Sequence, residues 1–334
     1  MSDTTPHAAH PYESLQPDVI LNAIETLGYQ CDGRLQALNS YENRVFQVGL
    51  EEGGMLVAKF YRPGRWSDAA IREEHAFTRE LEEQELPVLA PIADSGGESL
   101  HEFQGFRFAV YQNQGGRAPE LDRPEDLTRL GRSIARLHNI GALRDFAHRP
   151  RLDIHSHGYQ ARDTLLASGL LPDDIRDAYA AIADHLLTGI EHCYERAGNV
   201  RQLRLHGDCH PGNILLRDGI FWLLDFDDCC SGPAIQDLWL FLSGDREYMT
   251  ARLHDLLKGY TEFREFDPRE LHLAEALRGL RMLNHAAWLA RRWDDPAFPQ
   301  AFPYFNSRRY WEDTILGLRE QAGQMDEPAL EWLP

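Results

Sequence analysis

The chain has 334 residues, 43% of them hydrophobic and 26% charged, with a formal net charge of -19. That length holds one large domain or two lobes around a shared cleft. The acidic balance excludes nucleic acid as a main partner, since binding it needs a basic footprint, and no run of about 18 apolar residues is present to span a membrane.

MSDTTPHAAHPYE, at the N-terminus, has no basic stretch followed by an apolar one, so no signal peptide is expected, and the first dozen residues read as a loose tail. PDVILNAIETLGY (17–29) has helical periodicity. Three β-like runs follow, GRLQAL (33–38), RVFQVGL (44–50) and MLVAKFY (55–61), with EEGG as a hairpin turn between the last two. Residues 67 to 84 predict a helix opened by Ser67 and Asp68. VLAPIA (88–93) and FRFAVYQ (106–112) predict two more strands. Residues 1–112 therefore read as an antiparallel sheet carrying one main helix.

NQGGRAP (113–119) is Gly-rich and polar and is the predicted hinge. From 120 to 334 helices dominate. Leu127, Leu130, Ile134 and Leu137 share one helical face, as do Ile175, Ala178, Ile182 and Leu186. Asp267-Pro268 with Glu270 reads as N-cap, N1 and N3 of another helix in a capping-box arrangement. Two short strands, NILLR (213–217) and FWLLDF (221–226), flank the hairpin turn Asp218-Gly219. The predicted fold is α+β and bilobal, a small antiparallel N-lobe and a larger helical C-lobe. Five irregularly spaced cysteines read as reduced thiols of a cytoplasmic protein.

The chemistry concentrates in LRLHGDCHPGNILLRDGIFWLLDFDD (203–228). The hairpin brings Asp208 and Asn213 near Asp225 and Asp227. Alternation along a strand puts Asp225 and Asp227 on one side. Such a cluster would repel itself without a cation, and carboxylate with amide oxygen suits Mg²⁺. Asp208 and Asn213 form D-x-x-x-x-N, the spacing of catalytic base and metal-binding Asn in the kinase catalytic loop, and Asp225-Phe226-Asp227 stands where a metal-binding DFG would stand. His206, Cys209 and His210 lack the partner motif a structural zinc site needs; the histidines read as backbone braces and Cys209 as packing.

Phosphoryl transfer demands a strand lysine and a helix glutamate. Lys59 lies in MLVAKFY. Ala70, Glu74, Phe77 and Leu81 share a helix face, so Glu74 rather than Glu73 is assigned as the partner of Lys59. No G-x-G-x-x-G joins the first two strands; NSYENR (39–44) does, with Ser40, Tyr41 and Asn43 as side-chain substitutes for glycine-loop backbone contacts. Adenine is expected against the hinge at Tyr111, Gln112, Asn113 and Gln114.

HGDCHPGN followed by LLDFDD resembles the aminoglycoside phosphotransferase and choline kinase branch of the protein-kinase-like fold. LNSYENRVFQV, VAKFYRPGRW, LHGDCHPGNIL, GPAIQDLW and RRWDDPAFP together resemble the bacterial stress response kinase A family, over roughly residues 13 to 330. The resemblance implies a cytoplasmic, monomeric, ATP-dependent Ser/Thr protein kinase that protects against envelope and oxidative stress. It implies Asp208 as catalytic base, Asn213 and Asp225 as Mg²⁺ ligands at the reacting phosphate, Ser40 and Lys59 as ATP contacts, and Asp237 as support for the catalytic loop. Two departures, Asp227 in place of the DFG glycine and no A-P-E ending, argue against control through an activation loop.

Two other readings stay open. One is a small-molecule phosphotransferase, which an enclosed acidic pocket beside Asp208 would favour. The other is a nucleotide-sensing pseudokinase. The aromatic cluster Trp288, Trp293, Phe298, Phe302, Tyr304, Phe305, Tyr310 and Trp311 reads as packing of the helical lobe or as an acceptor surface.

Overall fold

Five short segments close into one antiparallel sheet in the computed structural model, which describes residues 10–332. Helix α1 (Pro17–Glu25) precedes strands β1 (Cys31–Ala37), β2 (Arg44–Leu50) and β3 (Met55–Phe60); helix α2 (Asp68–Glu83) precedes β4 (His101–Phe103) and β5 (Phe106–Gln112). The order across the sheet is β1-β2-β3-β5-β4. Side chains alternate between its faces. Ala58, Phe60, Phe108 and Val110 pack with Ile20, Ala23 and Ile24 of α1. Tyr61 and Ala109 pack on the other face, with Ile71 of α2. Lys59 shares that second parity, opposite Val45 on β2 and Ala109 on β5, and so points toward α2.

The larger lobe contains α3 (Pro124–Gly141), α4 (Gln160–Ala167), α5 (Asp173–Ala197), β6 (Leu203–Leu205), β7 (Ile214–Arg217), β8 (Ile220–Leu223), β9 (Cys230–Gly232), α6 (Gln236–Trp239), α7 (Arg246–Tyr260), α8 (Ala274–Arg292), α9 (Ala297–Ala301) and α10 (Arg308–Asp326). β6 pairs with β9 and β7 with β8, both antiparallel. The β7–β8 turn is Asp218-Gly219 with φ of 50° and 75°, the positive-φ pair that a two-residue hairpin requires. Among the described residues no helix is long and apolar enough to cross a membrane.

Several expectations need correction. Of the predicted tail, residues 1–9 lie outside the described residues, but Tyr12 is buried in the N-lobe, its hydroxyl donating to the Phe60 carbonyl at 3.2 Å. The first helix stops at Glu25 rather than Tyr29. VLAPIA is not a strand: only Val88 makes a single bridge, to Leu223. Pro87 and Pro91 lack the N–H groups that a ladder needs. The sheet's fifth strand is instead β4, three residues turned onto β5 by Gln104 and Gly105, both at positive φ. On α5, Ala178 is exposed and Tyr179 takes its place on the buried face. Residues 268–273 form a 3₁₀ turn, not the start of an α-helix. Glu270 closes no capping box there; it is buried and accepts the backbone N–H of Ile235 at 2.9 Å. The aromatic cluster is mostly packing: Phe298, Phe305 and Trp311 are fully buried, Trp288, Trp293, Phe302 and Tyr310 pack against the same core, and Tyr304 is exposed.

Candidate active site

Lys59 is 6% exposed, and a buried ammonium must be paired. Its Nζ stands 3.0 Å from Asp225 Oδ1, 3.2 Å from Asp227 Oδ1 and 3.6 Å from Glu74 Oε1. Burial alone would lower its pKa; the three carboxylates outweigh that and hold it well above the ordinary value. Glu74 arrives on α2, whose N-terminus is capped by Ser67 Oγ accepting the Ala70 N–H. It lies on the buried face with Ala70, Phe77 and Leu81, as the helical steps predict. Burial pushes its carboxyl up, against the pull of Lys59. Glu73 points elsewhere and accepts the N–H groups of Ala147, His148 and Arg149 at 2.6 to 2.8 Å.

The DFD segment differs from the expected strand. β8 ends at Leu223; the Leu224 N–H still bonds the Asn213 carbonyl in hairpin register, but the Asn213 N–H turns to His210 and the ladder stops there. Asp225 then adopts left-handed φ 55°, ψ 73°, a conformation Asp tolerates better than most residues, and Phe226–Asp228 is a 3₁₀ turn. Asp225 and Asp227 are therefore not strand neighbours on one side. The Asp225 side chain is 55% exposed and that of Asp227 4% exposed, yet both meet Lys59. Side-chain cations join these acids, as their clustering demands. Arg65 forms ion pairs with Asp227 and Asp228, and Arg149 donates to the carbonyls of Asp227 and Cys229. Burial would raise the Asp227 carboxyl; Arg65, Lys59 and Arg149 hold it well below the usual carboxylate range.

The catalytic-loop segment is fixed from beneath. Asp237 accepts the backbone N–H groups of His206 and Gly207, each at 2.9 Å, and meets His138 Nε2 at 3.0 Å. Gly207 has φ 84°, and a Cβ there would lie 2.1 Å from the Asp228 carbonyl oxygen, so only glycine allows the two segments this approach. The histidines brace backbone: His206 Nε2 meets the Leu224 carbonyl at 2.8 Å, and His210 Nδ1 accepts the Gly212 N–H at 3.0 Å. Cys209 is buried packing. Asn213 Nδ2 donates to the Asp208 carbonyl at 3.0 Å. The Asp208 carboxylate is held by Arg281 Nη1 at 2.6 Å and His210 Nε2 at 3.4 Å. Burial would raise its pKa, but His210 and Arg281 pull it well below the usual range.

A cleft of about 460 Å³ opens between the lobes. Ser40, Lys59, Glu74, Tyr111, Gln112, Asn113, Asn213 and Asp225 all line it, with apolar walls from Leu38, Val45, Val57, Leu89, Leu215 and Leu224. Asp208 does not line the cleft; it sits beside it, bonded to Asn213. Tyr111 turns its phenol inward to Tyr61 at 3.0 Å, and Asn113 Oδ1 accepts from Gln47 at 3.0 Å. Among the described residues, 113 to 115 make no backbone–backbone hydrogen bond. Of the three side chains of loop 39–44 expected to substitute for a glycine loop, Ser40 alone lines the cleft, beside Asn39. Tyr41 packs on Phe302 with ring centroids 4.9 Å apart, and the buried Asn43 accepts the Arg62 N–H, so neither substitutes for a glycine loop. Glu42 fastens this loop to the other lobe through Arg292, at 2.9 Å, and Trp288 Nε1.

Arg65, Arg149, Arg281 and Glu42 escaped the sequence reading. Four clustered acids against a single recognised lysine were the available signal that arginines had to converge there.

The donor set suits Mg²⁺. Among the described residues no three His, Cys, Asp or Glu cluster as a cation cage. What faces the cleft is one half-exposed carboxylate, Asp225, and Asn213, whose amide nitrogen is occupied by Asp208 and whose oxygen is left for a ligand. Mg²⁺ takes that few protein oxygens when phosphates and waters complete its shell.

Residues 34–274 match a family profile described as the phosphotransferase enzyme family. The chain is 40% identical over 326 residues to stress response kinase A of Salmonella choleraesuis (strain SC-B67), covering 98% of both. It shows the same identity and coverage to a Salmonella typhimurium protein named serine/threonine protein kinase RdoA. Among solved structures it resembles the amicoumacin kinase hAmiN, in complex with AMP-PNP, Ca²⁺ and Ami, with TM-score 0.70 and 18% identity over 94% of this chain and 93% of that one.

Proposed function

Because the chain belongs to the phosphotransferase enzyme family and, within it, to the stress response kinase A family, we propose that it transfers the γ-phosphoryl group of ATP to Ser or Thr hydroxyls of proteins in a stress response. The observation that carries this reading is the meeting of Lys59 with Glu74, Asp225 and Asp227 in a cleft that also contains Asn213. ATP enters with adenine against residues 111–114, where hinge backbone groups are free to bond it, and with its phosphates toward Lys59. The AMP-PNP named in the amicoumacin kinase complex supports a nucleotide in this cleft. We place the N-lobe at 1–112, the hinge at 113–119 and the catalytic lobe at 120–334.

Ser40 contacts ATP from the loop, and Glu74 keeps Lys59 aimed at the α/β phosphates. Asn213 and Asp225 would hold Mg²⁺, which supplies charge neutralisation for the transferred group. Asp208 receives the acceptor hydroxyl. Its depressed pKa makes it a weak base toward a free hydroxyl, so its part is to orient the O–H and to take the proton as the new P–O bond forms. Most of the rate then comes from positioning and electrostatics. The group beside Asp208 is Arg281, not an acidic pocket, which disfavours a cationic aminoglycoside- or choline-type acceptor. The full set of catalytic groups disfavours a pseudokinase. Five unbridged cysteines accord with a reducing cytoplasm, where we place the kinase as a monomer.

Labelled ATP with lysate proteins tests the reading. Wild type should label protein, and Asp208→Ala should lower transfer by about 10²–10⁴-fold while ATP affinity is largely kept. Normal turnover in that variant would remove Asp208 as base, and label confined to a metabolite would refute the protein acceptor.

A further inference from the structure

Helix α8 passes Asp208 and leaves a basic face open to solvent. From Arg281 to the end of the helix, the exposed residues are Arg281, His285 and Arg291, with His285 pushed toward its neutral form by desolvation and by Arg281, so the two arginines carry the charge. None is acidic, in a chain whose net charge is -19. Arg281 is half-exposed and touches the Asp208 carboxylate at 2.6 Å with one guanidinium nitrogen. Arg291 bonds only the amide oxygen of Asn284, at 3.2 Å, and among the described residues no carboxylate comes within ion-pair distance of it. This sets it apart from the arginines around the same cleft. Arg62, Arg65, Arg149 and Arg292 each have a carboxylate in reach, within the fold. Arg291 is thus a cation without an ion-pair partner in the fold; Arg292 adds to the positive potential around it and Glu42 offsets part of it.

Spacing indicates what would use it. Ten residues of α-helix separate Arg281 from Arg291, about 15 Å along the axis. An extended peptide covers that distance in four to five residues at about 3.3 Å each. A hydroxyl placed on Asp208 lies at the Arg281 end, so Arg291 reaches a side chain about four residues away.

We infer that this face of α8 receives the acceptor segment of the protein substrate and selects one carrying Asp or Glu about four residues from the Ser or Thr that is phosphorylated. The inference rests on the protein-kinase reading and deepens it. The local basic strip offsets the overall negative field, which would otherwise repel such a peptide. A basic peptide or a cationic small molecule would meet Arg281 and Arg291 as like charges.

The test uses three synthetic peptides with one central Ser, differing only in whether Glu, Gln or Lys flanks it four residues away on both sides. Labelled ATP gives kcat/KM for each. Wild type should prefer the Glu peptide to the Lys peptide by about tenfold, as expected of rim charges at an interface. Arg291→Glu should invert that order and Arg291→Lys should keep it. The ratio between peptides is read within one preparation, so partial loss of activity does not obscure it. Equal use of all peptides by wild type, or a ratio that Arg291→Glu leaves in place, overturns the docking face and leaves the kinase reading standing. No label on any peptide, with label on a small amine, overturns both.

Discussion

Replacing Glu270 by glutamine should make the protein's stability less sensitive to rising pH. Glu270 is 3% exposed and holds the Ile235 N–H at 2.9 Å, just before the short helix whose Asp237 grips the catalytic loop. No lysine or arginine forms an ion pair with it among the described residues. Burial lifts its carboxyl from 4.5 to about 7, against the pull of the Ile235 N–H. A raised carboxyl binds a proton in the folded state that the unfolded chain has already released. The penalty is therefore absent below the unfolded pKa, grows as pH rises through the window from 4.5 to about 7, and is complete above it. At about 1.4 kcal/mol per pKa unit the full penalty is about 3 kcal/mol, of which about 2.5 kcal/mol develops between about pH 5 and about pH 8. Glutamine retains an acceptor oxygen for Ile235 and cannot ionise. Urea unfolding of both proteins at the two pH values should show the variant gaining about 2.5 kcal/mol on wild type. A difference that stays constant across this range would refute the reasoning. Glu270→Ala, which also leaves a buried N–H unpaired, should be destabilised at every pH by about 1–3 kcal/mol.

Asp225→Ala should lose most of the Mg²⁺-dependent gain in nucleotide affinity, read with a fluorescent ATP analogue titrated with and without the metal; an unchanged gain would take Asp225 out of the metal site. Gly207→Ala should cost about 3 kcal/mol or more in unfolding assays and abolish transfer, because its Cβ would meet the Asp228 carbonyl oxygen at 2.1 Å in a backbone conformation with φ of 84°. Glu42→Gln weakens the tie between the nucleotide loop and Arg292, so KM for ATP should rise several-fold with a smaller change in kcat; an effect confined to kcat would place the loop's role elsewhere.

Short-range signals carried much of this structure in the sequence. The β-like run MLVAKFY supplied Lys59 as the strand lysine, helical steps chose Glu74 over Glu73, and Asp218-Gly219 announced the hairpin turn. The errors arose where tertiary partners override local pattern. Pro87 and Pro91 deny a ladder to an otherwise strand-like run. Asp225 leaves the strand because the ladder ends at Asn213, whose own N–H bonds His210 in the catalytic loop instead of the partner strand. Ion-pair partners were the least visible, since Arg65 and Asp227 lie 162 positions apart and no periodicity links them.

The ties from Arg62 to Asp295 and from Glu42 to Arg292 join the two lobes at a further point, besides Glu73 on the backbone of residues 147–149 and Arg65 on Asp227. Their side chains range from 1% to 21% exposed, so dissolved salt reaches them poorly. Prying the crevice wide must therefore rupture several shielded charge pairs together, at a cost that dissolved salt changes little.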